Sequence, residues 1–119
     1  MLQIKRIYDV PAKSDGTRVL VDRLWPRGIA KESAALELWL KEIAPSSDLR
    51  IWFNHEADKF EEFGLRYIDE LNNNPAVTQL DQLIDRNPIV TLLYAAKNSK
   101  INHAVVLRDF MLKRTSRVI

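Results

Sequence analysis

The chain has 119 residues, of which 46% are hydrophobic and 29% charged, with no cysteine and a net charge of +2. That is enough for one domain that buries roughly two-thirds of the surface its unfolded form exposes, and the missing cysteines exclude disulfides, thiolate metal centres and cysteine nucleophiles, which suits a reducing cytoplasm. The start of the chain lacks the apolar run of a signal peptide, no segment approaches the ~18 apolar residues of a membrane span, and the expectation is a soluble cytoplasmic protein without membrane contact.

Leu2 to Tyr8 alternates in the manner of a partly exposed strand, ended by Pro11 and the turn Ser14-Asp15-Gly16. Arg18 to Leu24 reads as a second strand. Its run Val19-Leu20-Val21 predicts burial on both faces and a central place in a parallel sheet. Residues 31–44 fit two patterns, because Leu36, Leu38 and Leu40 alternate while Leu36, Leu40 and Ile43 suit a helix. The preferred reading is a short helical turn followed by a strand over Glu37 to Ile43.

Pro45-Ser46-Ser47-Asp48 is a helix start, with Ser46 or Ser47 as cap and Asp48 favourable at the positive end. A short helix carries Leu49, Trp52 and Phe53. From Glu56 to Asn72 the residues Phe60, Phe63, Tyr67, Ile68 and Leu71 trace one helical face. Asn74-Pro75 opens another helix, with Val77, Leu80, Leu83 and Ile84 inward, and Asn87-Pro88 ends it. Ile89 to Ala95 is an interior strand. Asn102 caps a last helix whose Val106, Leu107, Phe110 and Met111 pack while Arg108, Lys113 and Arg114 face solvent or a partner. Strands and helices in this order predict an α/β fold: a single compact domain over residues 1–119, its central sheet mostly parallel and flanked by helices.

Charge is unevenly spread. Residues 1–35 carry seven basic and four acidic side chains, residues 36–87 five and eleven, and residues 88–119 six and one. If the two basic ends meet in the fold, their fields add and attract anions. In open α/β sheets, ligands bind outside the carboxyl ends of the strands. The loop after the second strand holds Asp22, Arg23, Trp25 and Arg27, the loop after the third Lys41, Pro45 and Ser46, and the loop after the fourth Tyr94, Lys97, Asn102 and His103. Three loops therefore converge on one rim, provided the strands are parallel. Arginine suits an anion because its planar fork grips two oxygens. The helix starts near Ser46 and Asn102 add backbone donors. Trp25, Trp39 and Trp52 read mainly as packing residues, and His55 as a residue that caps or packs at the start of the acidic helix. No metal-ligand spacing, Gly-rich phosphate loop, nucleophile elbow or triad spacing is present, so neither a metal nor a cofactor is expected.

Val-Leu-Val-Asp-Arg-Leu-Trp-Pro-Arg-Gly (19–28), Trp-Leu-Lys-Glu-Ile-Ala-Pro-Ser (39–46), Leu-Arg-Ile-Trp-Phe-Asn-His (49–55) and Thr-Leu-Leu-Tyr-Ala-Ala-Lys (91–97), followed by Asn-His-Ala (102–104), resemble the YeaO-like family. This family is a bacterial domain of unknown function. The resemblance covers nearly the whole chain and implies a small cytoplasmic α/β domain. The wider superfamily reads Leu-Leu-Cys-x-Glu at the fourth strand and Cys-His-Arg afterwards. Here Tyr94 and Ala96 stand for the Cys and Glu, and of the second motif only His103 remains. If relatives use those cysteines for chemistry, this chain has lost the nucleophile, since a phenol with a pKa of about 10 is a poor substitute for a thiol at about 8.5.

The leading expectation is a domain that binds a phosphorylated or otherwise anionic molecule, a nucleotide or nucleic acid among them. Arg23 and Arg27 clamp it, Trp25 walls it, and Asp22, Lys41, Ser46, Lys97 and Asn102 complete the pocket. One rival is a metal-independent hydrolase or transferase with His103 as general acid or base and Tyr94 as its partner. Another is a protein-interaction module, and a third a nucleic-acid surface along the basic end from Arg108 to Arg117.

Overall fold

Val19-Leu20-Val21 and Val90 to Tyr94 offer almost nothing to water, so both segments need cover on two faces. The computed structural model, which describes residues 1–114, gives them that cover. Its strands are β1 (Leu2–Arg6), β2 (Thr17–Leu20), β3 (Leu38–Trp39) and β4 (Val90–Tyr94), in the order β1-β4-β2-β3. Every neighbouring pair is parallel. The two apolar strands occupy the centre, with Val19 opposite Leu92 and Leu20 opposite Leu93. Because β1 lies against β4, the basic first segment and the start of the basic last one are adjacent, and the amino terminus donates to the Pro88 carbonyl at 2.6 Å.

Alternation along the strands builds two cores. Val19, Val21, Val90, Leu92 and Tyr94 face four helices: α2 (Ser47–Phe53), α3 (Phe60–Asn72), α4 (Ala76–Arg86) and α5 (His103–Arg114). Leu20 and Leu93 face the other way, onto Ile7, Ala34, Trp25 and Trp39, covered only by the single turn α1 (Lys31–Ala34) and its flanking loops. The sheet is thus flanked by helices mainly on one side.

Several boundaries differ from the sequence reading, with β1 ending at Arg6 rather than Tyr8 and β4 running over Val90–Tyr94 rather than Ile89 to Ala95. The second strand stops at Leu20 rather than Leu24, although the Val21 N–H still donates to the Leu93 carbonyl at 3.0 Å. The third strand pairs only over Leu38–Trp39, and Lys41–Ile43 forms a 3₁₀ turn instead. The reason is that Leu40 and Ile43 enter the same core. Residues three apart share a side in a turn, whereas a strand would send them to opposite faces. Finally, α3 begins at Phe60 after a 3₁₀ turn over Ala57–Lys59, not at Glu56.

The expected caps form. Ser46 Oγ accepts from Leu49 N–H at 3.1 Å, Asn74 Oδ1 from Ala76 N–H at 2.9 Å, and Asn102 Oδ1 from Val105 N–H at 3.1 Å. The Tyr67 hydroxyl, fully buried, donates to the Ile43 carbonyl at 2.7 Å and ties α3 to the turn after β3. Burial, with Glu70 and Asp22 nearby, pushes its pKa well above the ordinary value, so it stays a donor.

At the amino end of the sheet the lightly covered face is closed by charge. Arg18 is buried and donates through Nη1 to Asp15 at 2.5 Å and through Nε and Nη2 to the Ala34 carbonyl, which pins the end of α1. Lys5 Nζ lies 3.0 Å from the other Asp15 oxygen, and the Thr91 hydroxyl donates to the Asp15 carbonyl at 2.6 Å. Gly16 completes the turn at φ +61°, and a Cβ there would collide with Ile89. Burial works to raise the Asp15 pKa, but hydrogen bonds from the Ala12 N–H, Lys5 and Arg18 outweigh it and hold the carboxyl below its usual value.

A depressed carboxylate pKa means stability that is present above the unfolded value and lost as pH falls through the folded one. Urea titrations of the wild type should therefore show stability declining below about pH 4. In Asp15→Asn this acid-dependent loss should flatten, and at pH 7 the variant should be destabilised by about 3 kcal/mol, because Arg18 is left buried without its counter-charge.

Candidate functional site

Parallel strands bring the loops after β2 and β4 side by side, and Asp22 joins them. Its Oδ2 accepts from the Ala95 N–H at 3.0 Å, continuing with a side chain the ladder that the backbone leaves at Val21. Its own carbonyl accepts from Trp39 Nε1 at 2.7 Å, which adds the end of β3. His103, the first residue of α5, places Nε2 3.0 Å from the Val21 carbonyl and 3.1 Å from Asp22 Oδ1.

Both of those oxygens are acceptors, so Nε2 of the neutral ring carries the hydrogen and Nδ1 is left with the lone pair. One hydrogen cannot serve two acceptors well. It goes to Val21, and Asp22 Oδ1 stays buried without a formed hydrogen bond.

Beside this junction lies a cavity of about 580 Å³ between the carboxyl ends of β2 and β4, α2 and the start of α5. Arg23, Arg50, Lys97, His55 and His103 contribute to its wall, with Asp22 as the single carboxylate. Leu24, Phe53, Phe63 and Ile101 supply apolar surface, and Ala44, Pro45, Ala95 and Ala96 narrow it. Phe53 and Phe63 stack at 4.2 Å, which seats α2 against α3 and fixes the back of the cavity.

Of the residues singled out in the sequence, Asp22, Arg23, Lys97, Asn102 and His103 line this cavity. Arg23 is partly engaged, since Nε and Nη2 donate to the Pro45 and Ala44 carbonyls at 3.2 and 3.1 Å. Asn102 is buried, with its Nδ2 donating to the Asn98 carbonyl at 2.8 Å and its Oδ1 capping α5, so it shapes the loop.

The other five lie outside the wall. Trp25 packs edge-to-face on Trp39 at 5.3 Å, on the far side of the sheet, with Nε1 donating to the Ile29 carbonyl. Arg27 is exposed, and Lys41 lies over the Trp39 ring at 5.3 Å. Ser46 Oγ donates to Glu70 Oε2 at 2.6 Å and the Ser46 N–H to Oε1 at 2.8 Å, so a carboxylate of the chain already occupies the start of α2. Tyr94 is buried, and burial raises its pKa, assisted by Asp9 and opposed by Arg6 and a hydrogen bond with Asn102.

Arg50 and His55 join the wall without having been foreseen in it. Arg50 stays exposed on α2 and contributes to the wall from that helix. His55 follows Asn54, which ends α2, and both are left-handed at φ +48° and +57°. Two successive non-glycine residues in that region are uncommon, and such strain gathers at binding sites. The basic end offers less free charge than its composition suggests. Arg114 donates to Asp81 at 2.7 Å and Arg108 to Asp109 at 3.1 Å, while Arg117 lies outside the described residues.

Two outcomes follow. Asp22→Ala removes the acceptor for Ala95 and should cost about 2 kcal/mol in chemical unfolding, with Asp22→Asn losing less because an amide oxygen can replace Oδ2. His55→Gly relieves a left-handed residue and should hold stability or raise it by about 1 kcal/mol, read as an increase in Tm.

Among the described residues no group of three or more His, Cys, Asp or Glu could hold a metal ion, and no helix is long and apolar enough to cross a membrane. A family model described as the inactive DUF488-N3 subclade matches residues 1–118. The uncharacterised protein YeaO of Escherichia coli (strain K12) is 46% identical over 111 residues, which are 92% of this chain and 96% of that protein. Uncharacterised proteins of Mycobacterium tuberculosis (strain H37Rv) and Mycobacterium bovis are each 38% identical over 110 residues, 92% of both chains. No solved structure matches. With a family match over nearly its whole length, a close relative in YeaO and no cysteine in its sequence, the chain belongs to the YeaO-like family, within the inactive DUF488-N3 subclade.

Proposed function

We propose that this domain binds an anionic molecule in the cavity at the carboxyl ends of β2 and β4 and does so without catalysing a reaction on it. The observation that carries the reading is the charge of the wall: Arg23, Arg50 and Lys97 face one carboxylate, Asp22, whose Oδ2 is spent on the Ala95 N–H. Cations lining a concave, partly apolar site raise the local concentration of anions well beyond what a net charge of +2 would do.

The absence of turnover is supported by the composition of the same wall. It contains no cysteine, serine, threonine, tyrosine or glutamate among the described residues. His103 has its Nε2 hydrogen committed to the Val21 carbonyl, and Tyr94 lies outside the wall. Nδ1 of His103 keeps its lone pair, but among the described residues the wall offers no hydroxyl or thiol for it to activate. His103 then acts as a positioning residue that holds the start of α5 against the end of β2. The subclade's description as inactive points the same way.

Thermal-shift measurements test the reading with wild type, Arg50→Ala/Lys97→Ala, and Arg27→Ala as a control for losing a cation outside the cavity, against carboxylates, sugar phosphates, nucleotides and short RNA. A bound anion at a hundred times its Kd should stabilise the wild type by about 2.7 kcal/mol, several degrees in Tm. The double variant should lose that shift and Arg27→Ala should keep it. Equal shifts in all three proteins, or none in any, would remove the anion site.

A further inference from the structure

We infer that the cavity selects an amphipathic organic anion, a molecule with one compact charged head and an extended apolar body, rather than a phosphate-rich ligand; this rests on the anion reading above and narrows it. Sites for phosphate groups present several free backbone N–H groups or a helix start to the ligand. Here several of those donors are already used by the chain. Glu70 accepts from the Ser46 N–H and hydroxyl, and Ser46 Oγ accepts from Leu49 N–H, which closes the start of α2. In the loop after β4, Asn98 Oδ1 accepts from the N–H groups of both Lys100 and Ile101, and Asn102 Oδ1 takes the Val105 N–H at the start of α5.

The formal positive charge of the wall is carried by long side chains. Arg50 and Lys97 are exposed, and Arg23 has two of its nitrogens held by carbonyls. Such cations suit one small anionic group at the mouth, not a chain of phosphates running into the cavity. The rest of the wall is mainly hydrocarbon, interrupted by Asp22, Asn102 and His103. Phe53 and Phe63 form the stacked back wall, Ile101 a side wall, and Leu24, 62% exposed, is an apolar side chain held at the opening. An apolar body seated there removes its own surface and that of Leu24 from water, which a hydrated polyanion cannot do.

The test measures affinity by isothermal titration for butyrate, hexanoate and octanoate, with inorganic phosphate and octanol as references, on the full chain. Each added pair of methylenes should tighten binding about tenfold if they are covered on all sides. Octanol should bind far more weakly than octanoate, and Arg50→Ala/Lys97→Ala should bring octanoate down toward octanol. Leu24→Ser/Ile101→Ser should flatten the chain-length dependence while sparing butyrate. Should that double variant not fold, Leu24→Ser alone still reports, because the residue is exposed and its loss should reduce the gain per methylene. Binding of phosphate or nucleotides with no gain along the carboxylate series would overturn this inference and leave the anion site standing. Equal binding of octanol and octanoate would overturn both, as would no binding by any anion.

Discussion

The carboxylate of Asp22 is the constraint on which the functional end of this molecule depends. β2 loses its backbone partnership at Val21, yet the chain must still hold the loop after β2 against the loop after β4. One side-chain oxygen receiving the Ala95 N–H accomplishes this, and the residue's own carbonyl, receiving Trp39 Nε1, brings in β3. His103 then joins the start of α5 to the same point through the Val21 carbonyl. A buried charged acceptor is a demanding choice for such a joint, since its remaining oxygen has no well-formed hydrogen bond.

The two ends of the sheet handle polarity in opposite ways. At the amino end, Asp15, Arg18 and Thr91 are buried and their groups find partners in one another and in backbone carbonyls, which compensates for the thin cover provided by α1. At the carboxyl end, Arg23, Arg50 and Lys97 gather without an equal number of acids. Buried charge is tolerable only when paired, so the first arrangement is self-contained. Cations around a concavity that keep access to water do not need such internal pairing.

This arrangement accords with membership of a subclade described as inactive. Asp22, His103 and Asn102 hold three elements in register, and none of them offers the cavity an activated nucleophile. Trp25 and Ser46, which the linear order places beside the same rim, serve the packing of the far face and the cap of α2. Their adjacency in sequence concealed the fact that successive residues in an extended loop point to opposite sides of a sheet.

The central position of β2 and β4 was legible from Val19-Leu20-Val21 and the run from Val90 to Tyr94, because apolar side chains pointing both ways demand cover on both faces. The helices at α3, α4 and α5 were legible for a similar reason: their apolar spacing and their caps are local chemistry. So was part of the site, since Asp22, Arg23, Lys97 and His103 follow directly from strands whose ends must lie together. Short-range pattern failed where a distant partner decided the outcome. Ile43 turned the predicted third strand into a 3₁₀ turn because the core needed it beside Leu40. Glu70 closed a helix start that looked ready for a ligand. Arg50 and His55 line the cavity from α2 and the turn after it, elements that Phe53 packs against Phe63 on α3. The sequence by itself determined the layers, the caps and the end of the sheet where a site belongs, for these depend on periodicity and local hydrogen bonding. Which side chains meet there was decided by tertiary packing alone, because direction across a sheet and competition for a buried partner are properties of the assembled structure.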